Sequence, residues 1–285
     1  MKKKVKHQKG IKNKLSWFEI VLRIFACTLA VAILFPFIYL ILSSLKTVDE
    51  YYATKFILFP HDPQWGRYKE LFVDFKFYRY IINSIVLATI SVCANLVASS
   101  LVSYGISRFK FKGRGLLFTL ILVTIFLPAQ VTSIPKFIIW YKVKMLNTFV
   151  PLVLPSLFGA SSSILLISSF MKGVPKEMDE AAMIDGCNRF KIWWKVILPQ
   201  TIPVLCVVAL NGFIGSWKSS MGPMIYLRDE RLYTVPIALL YFQSPSPSSY
   251  LYLMAGVVIS IVPTTILFMY GQKWFDKGVS VGTLK

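Results

Sequence analysis

An all-α, polytopic membrane protein with six transmembrane helices is the architecture this 285-residue sequence predicts. Three observations carry the prediction. Apolar residues make up 55% of the chain and aromatic ones 15%. The mean hydropathy is +0.60, too apolar for a soluble domain of this size. Apolar runs of about 20 residues recur, each long enough to cross the hydrocarbon core as a helix; a transmembrane barrel would show short alternating segments instead.

The first span is placed at 21–45, with Pro36 inside it. It follows a basic tail over 1–20 that opens MKKKVKHQKGIKNK and is suited to touch anionic lipid. The run is longer than the apolar region of a signal peptide and no small-x-small cleavage site follows, so it is read as a retained helix. The other spans are placed at 81–104, at 116–134 with Pro128 inside, at 149–170, at 201–226 and at 251–272. Interior prolines are tolerated where neighbouring helices satisfy the freed carbonyls. The six spans form one transmembrane domain over 21–272, followed by a tail over 273–285. Between spans, 46–80 is rich in aromatic residues, which serve as interface anchors or as contacts for a partner or substrate. Residues 135–148 are expected as an amphipathic surface helix with Ile138, Ile139 and Val143 on one face.

The formal charge of +19 could suggest nucleic acid, but in a membrane chain basic residues orient the helices. With the N-terminus inside, the four internal segments hold eight, four, five and three Lys and Arg, 20 in all, against 11 in the three external ones; Lys218 in the fifth span completes the 32. Both termini are therefore expected in the cytoplasm. Cys27, Cys93, Cys187 and Cys206 show no paired spacing, and His7 and His61 lie far apart; neither a disulfide framework nor a metal site is expected. No G-x-x-x-x-G-K-[ST] phosphate loop is present: the nearest string, GSWKSS at 215–220, has Trp217 where the glycine before lysine must stand.

The largest internal loop, 171–200, contains PKEMDEAAMIDGCNRFKIWWKVILPQ at 175–200. A helix is expected over 175–184, with Glu177, Asp179 and Glu180 in its first turns where the dipole favours acids. Asp185-Gly186 should break it. A second amphipathic helix should follow, with Phe190, Trp193, Trp194 and Ile197 on its apolar side and Leu198-Pro199 at its end. Ala181-Ala182 are expected at an exposed surface, where small residues let another backbone come close.

EAAMIDG at 180–186 followed by ILP at 197–199 resembles the EAA loop of ABC importer permeases, whose pattern is E-A-A-x-x-x-G and, about ten residues on, I-x-L-P. The segment NSIVLATISVCANLVASSLVSYGISRFKFKGRG from 83, LPAQVTSIP from 127, LNTFVPLVLP from 146 and the ending GQKWFDKGVSVGTLK resemble further family segments, although the last residue is Lys285 rather than glycine. The similarity covers nearly all of the chain after residue 50 and is strongest to the MalG-like permease subunits of carbohydrate importers.

That resemblance implies a permease subunit importing a sugar or oligosaccharide, not itself an enzyme. It would pair with a second, homologous permease and dock on an ABC ATPase dimer that binds the ATP and Mg. An extracytoplasmic solute-binding protein would deliver the cargo. Glu180, Ala181, Ala182, Asp185, Gly186, Leu198 and Pro199 would form the coupling segment. For the substrate pathway, Asn95, Asn211, Ser216, Trp217, Lys218 and Ser219 combine polar groups with an aromatic face. Family members carry W-N-[DE]-F where this chain has Trp217-Lys218-Ser219-Ser220. Lys218 either snorkels to the outer surface or is paired structurally, or it meets substrate or a partner, leaving acidic oligosaccharides or glycerol-phosphate compounds as alternative cargo.

Overall fold

The structure is a computed structural model and describes residues 17–243 and 246–282. The expected basic tail over 1–20 lies mostly outside the described residues, as do 283–285. The chain divides into two compact units, Met1–Gln64 and Trp65–Lys285. In the first, α1 (Trp17–Ser44) is a 28-residue helix containing Pro36, and its side chains from Trp17 to Ile38 are exposed on every side. A helix apolar all round suits lipid or protein contact throughout its length. The short α2 (Val48–Tyr52) starts at a capping box: Thr47 Oγ1 accepts from Glu50 N at 3.2 Å, and Glu50 Oε2 accepts from Thr47 N at 3.1 Å.

The second unit begins with α3 (Gly66–Val73) and is organised around α4 (Phe77–Arg108), 32 residues without a proline. Next come α5 (Arg114–Ile125) and α6 (Ala129–Lys142). The third expected span is therefore broken at Pro128. The ring removes an N–H and restricts Leu127 before it, so Pro128 becomes the N-cap of α6 and the two helices meet at 100°. The expected surface helix starts at Ala129, not 135.

The fourth span is assembled from α7 (Val150–Val153), a 3-10 turn (Leu154–Phe158) and α8 (Ser161–Gly173), with Gly159 at φ 77° between the last two. In the loop that follows lie α9 (Glu177–Ile184), α10 (Arg189–Ile192), a π-turn (Trp193–Ile197) and the single helical turn α11 (Leu198–Gln200). Leu198-Pro199 thus continues the helical path for one turn instead of ending it.

The fifth expected span stops early. α12 (Ile202–Lys218) gives way to extended backbone at Ser219, and α13 (Met221–Tyr226) is separate. α14 (Val235–Tyr241) and α15 (Pro247–Gly282) complete the chain; α15 stays helical through most of the expected tail from 273. Among the described residues four helices are long and apolar enough to cross a membrane, or six if each of two bent pairs counts as one span.

Two clusters hold the second unit together. At one end of α4, Tyr104 packs with Ile167, Met171, Ala182, Ile192, Trp193, Ile197, Val204 and Val208. At the other, Phe77 and Tyr80 pack with Leu71, Trp217, Val235, Ala238 and Phe242. Between them α4 meets α8 and α14 (Val235–Tyr241) through small polar residues. Ser103 Oγ donates to Ile164 O at 3.0 Å, and Ser84 Oγ accepts from Val235 N at 2.8 Å. Small side chains with cross-helix hydrogen bonds are the common glue where lipid offers no hydrophobic drive between helices.

Candidate functional site: the coupling segment and a cavity in the bundle

α9 ends as the sequence dictates. Asp185 is its C-cap, and Gly186 adopts φ 78°. Gly186 N donates to Met183 O at 3.1 Å and Cys187 N to Ala182 O at 2.9 Å. This is a Schellman closure, and its left-handed position favours glycine. Asn188 then caps the next helix, its Oδ1 accepting from Lys191 N at 2.8 Å.

The inner face of this segment is welded to the bundle. Ala182, Ile192, Trp193 and Ile197 are buried, and fully burying an isoleucine is worth about 1.5–3 kcal/mol. Asp179 is buried too, with its Oδ2 3.2 Å from Arg108 Nε at the last turn of α4. Arg108 Nη1 also donates to Val174 O at 3.0 Å. The contact is ionic rather than an aligned hydrogen bond, and Arg108 Nη2 and Asp179 Oδ1 have no hydrogen-bond partner. Burial pushes the Asp179 carboxyl above the usual aspartate range, and Arg108 pulls it part of the way back. Tyr104 Oη donates to Arg189 O at 3.2 Å, and the Arg189 guanidinium lies over the Phe109 ring at 5.5 Å.

The outer face differs from the expectation in its members. Ala182 points inward, leaving Ala181 with Glu180, Asp185 and Gly186 at the surface. Phe190 and Trp194, expected on the buried side, are 63% and 55% exposed. The reason is the π-turn: its i to i+5 bond from Leu198 N to Trp193 O adds a residue to the turn and rotates the buried face onto Ile192, Trp193 and Ile197. Leu198 is half-buried and Pro199 exposed.

Midway along α4 lies a cavity of 470 Å³ lined by Ser91, Asn95, Ser156, Gly212, Ser216 and Ser219 among others. Three of the six expected pathway residues, Asn95, Ser216 and Ser219, line it. Asn95 is largely committed to structure: its Oδ1 accepts from Ala160 N at 2.7 Å and Ser99 Oγ at 2.9 Å, and its Nδ2 donates to Ser163 Oγ at 3.0 Å. Trp217 turns away, stacks on Phe213 at 5.9 Å and donates from Nε1 to Ser260 O at 3.2 Å. Asn211 and Lys218 are exposed and do not line the cavity. Successive residues are rotated about 100°, so Gly212, Gly215, Ser216 and Ser219 share a face that the other three miss. Arg108, Asp179 and Asn188 were not among the residues the motifs selected. The only signal for the first was its place in the SRFKFKGR segment.

Residues 94–281 match the family described as binding-protein-dependent transport system inner membrane component. The chain belongs to that family. As a permease component it is similar to the arabinooligosaccharides transport system permease protein AraQ of Halalkalibacterium halodurans, at 31% identity over 95% of this chain and 97% of the relative. It is also similar to the probable ABC transporter permease protein YurM of Bacillus subtilis, at 29% identity over 96% and 92%. The fold matches the crystal structure of a bacterial ABC transporter involved in the import of the acidic polysaccharide alginate, with a TM-score of 0.81, 23% identity, and coverage of 90% of this permease and 96% of that chain. The family is one of transporter permeases for carbohydrates rather than enzymes.

Proposed function

We propose that this chain is the membrane-spanning permease subunit of a bacterial ABC importer for a sugar or oligosaccharide. It forms the translocation pathway with a second, homologous permease. A solute-binding protein delivers the cargo from outside, an ATPase dimer supplies ATP and Mg chemistry from inside, and both termini face the cytoplasm. One observation carries the reading: the two faces of the 177–200 segment do opposite things. The inner face is clamped to α4, α8 and α12 by Arg108–Asp179 and the buried cluster around Trp193. The outer face presents Met183, Phe190 and an 86% exposed Ile184. An apolar knob on a rigid mount is suited to seat in a groove of a soluble partner. Closure of the ATPase dimer would then pull on α9 and, through Asp179, on α4. The test is Ile184→Asp in the co-expressed importer. The ATPase should no longer co-purify while the subunit still inserts; undiminished co-purification and transport would sink the coupling role.

Lys218 favours a second reading, in which the cargo is an acidic oligosaccharide or a glycerol-phosphate compound. It ends α12 exposed, next to Ser219 of the cavity, and makes no ion pair among the described residues. A charge at membrane depth calls for water, a partner or an anionic ligand. The fold shared with the alginate importer is consistent with it.

A further inference from the structure

A sugar site combines aromatic faces with polar groups, but the 470 Å³ cavity has no aromatic ring and no charged side chain in its lining. That combination occurs elsewhere. A second cavity of 390 Å³ lies between α4, α14 and α15 beside the turn that leads from α3 into α4, and its walls include Phe75, Tyr241, Phe242, Tyr252, Glu230 and Ser249. It sits at the Tyr80 end of α4, 28 residues and about 42 Å from Arg108. On the topology proposed above it opens to the outside. We propose that this cavity is a binding subsite for an uncharged pyranose unit of the cargo, met before the oligosaccharide enters the bundle; the inference rests on the reading of the chain as a sugar permease.

The chemistry of the walls selects the ligand. Phe75 lies against both Phe242 and Tyr252 with ring centroids 5.2 Å apart, and Phe242 stacks on Tyr252 at 6.1 Å. The three rings brace one another into a stiff apolar wall, the kind of surface on which the C–H face of a pyranose packs. Tyr241 adds an exposed ring to the same walls, held by its stack on Tyr233 at 5.5 Å. Tyr80 Oη donates to Glu230 Oε1 at 2.7 Å, which orients the carboxylate and leaves its second oxygen to accept from sugar hydroxyls. Tyr252 Oη is committed to Glu70 in the same way. With both hydroxyls spent as donors, acceptors dominate the walls, which suits a hydroxyl-rich ligand and repels a carboxylate or phosphate. A cationic occupant is disfavoured because this chain's own Arg67 already lies over the Tyr252 ring at 5.9 Å. The volume falls within the range of about 300–1,000 Å³ typical of small-ligand sites.

The test uses the complete importer reconstituted with its ATPase, second permease and binding protein, and three neutral probes built of pyranose rings: xylotriose, maltotriose and cellotriose. Tyr241→Ala removes an exposed ring with little packing loss, and Glu230→Gln keeps the acceptor for Tyr80. Each should raise the KM for an imported trisaccharide about fivefold with kcat unchanged. Each should also weaken saturation transfer from the detergent-solubilised importer to the sugar C–H protons. A defect in folding would lower kcat instead. If at least one trisaccharide is imported and both variants bind and import it as wild type does, the subsite is overturned while the sugar-permease reading stands. If binding is lost but a basic peptide or a detergent chain fills the cavity in its place, the ligand class is overturned. An importer that takes up none of the three overturns the subsite, and one that takes up trigalacturonate instead leaves the sugar-permease reading standing.

Discussion

Arg108 and Asp179 are 71 residues apart in sequence, yet they meet at 3.2 Å with both side chains almost wholly buried. The pair fastens the first turn of α9 to the last turn of α4. Breaking a buried pair by removing one partner strands the other charge and costs about 3–5 kcal/mol, whereas replacing both partners can be nearly neutral. Asp179→Ala and Arg108→Met should each lower the melting temperature of the purified complex and the ratio of sugar transported to ATP hydrolysed. The Asp179→Leu/Arg108→Met double variant should recover much of the stability without the coupling. Additive losses would show that the two residues act separately.

The same pair gives a dependence on pH. Burial raises the Asp179 pKa above its unfolded value, so between those two values the folded state holds a proton that the unfolded state has released. The contribution of this group is then largest below the unfolded value and is lost as pH rises through the folded one. Asp179→Asn should flatten the fall in melting temperature over that window. Superimposable pH profiles for the variant and wild type would contradict the assignment.

Gly186 holds φ 78°, where a residue with a Cβ costs about 1–2 kcal/mol. Gly186→Ala should insert normally and lose part of its transport. Gly186→Pro cannot reach that angle and loses the bond to Met183 O, so it should couple still less well and loosen the ATPase. Co-purification and uptake measured at equal expression decide; full activity of the proline variant would discard the coupling role of this turn.

Filling the bundle cavity should block passage without harming the fold. Ser216 lines it from α12, so a leucine side chain there would project into the cavity, and Ser216→Leu is expected to cut uptake at least tenfold at normal subunit yield. Trp217→Phe, on the opposite side of the helix, should change stability by about 1 kcal/mol through the lost bond to Ser260 O and leave substrate preference alone. Equal uptake by Ser216→Leu and wild type would move the pathway off this cavity.

Lys218 separates the two cargo readings. Lys218→Met should lower uptake of an acidic trisaccharide such as trigalacturonate about tenfold and spare a neutral one. A lysine that only snorkels to headgroups would leave both rates unchanged when they are measured in parallel in reconstituted vesicles.

The apolar runs were legible because lipid imposes a length of about 20 residues on every crossing helix. The bend at Pro128 was not, since the apolar run is continuous across it and only backbone hydrogen bonding changes; the break at Ser219 does coincide with a polar dip, Lys218-Ser219-Ser220, inside the expected span. Glu180 to Gly186 could be found by residue type because the Schellman turn admits little but glycine. Arg108 could not be paired with Asp179, because a contact across 71 residues leaves no local pattern. Phe190 and Trp194 were assigned to the wrong face by a period of 3.6, which the π-turn at Trp193–Ile197 breaks. The cavity around Glu230 draws on five separate stretches of chain, so no local pattern brings its aromatic residues together.

The unbroken course of α4 has a mechanical meaning. Its 32 residues span about 48 Å, and along that length it borders the outer aromatic cavity at Tyr80, the bundle cavity from Leu87 to Asn95 and the Asp179 contact at Arg108. With no proline to flex it, the helix behaves as a seesaw. A tilt of about 10° around its midpoint carries its two tips about 4 Å in opposite directions, while the serine-lined middle hardly shifts. A pull at the Arg108 tip would therefore be felt at the Tyr80 tip as a push of similar size, with the waist acting as the fulcrum.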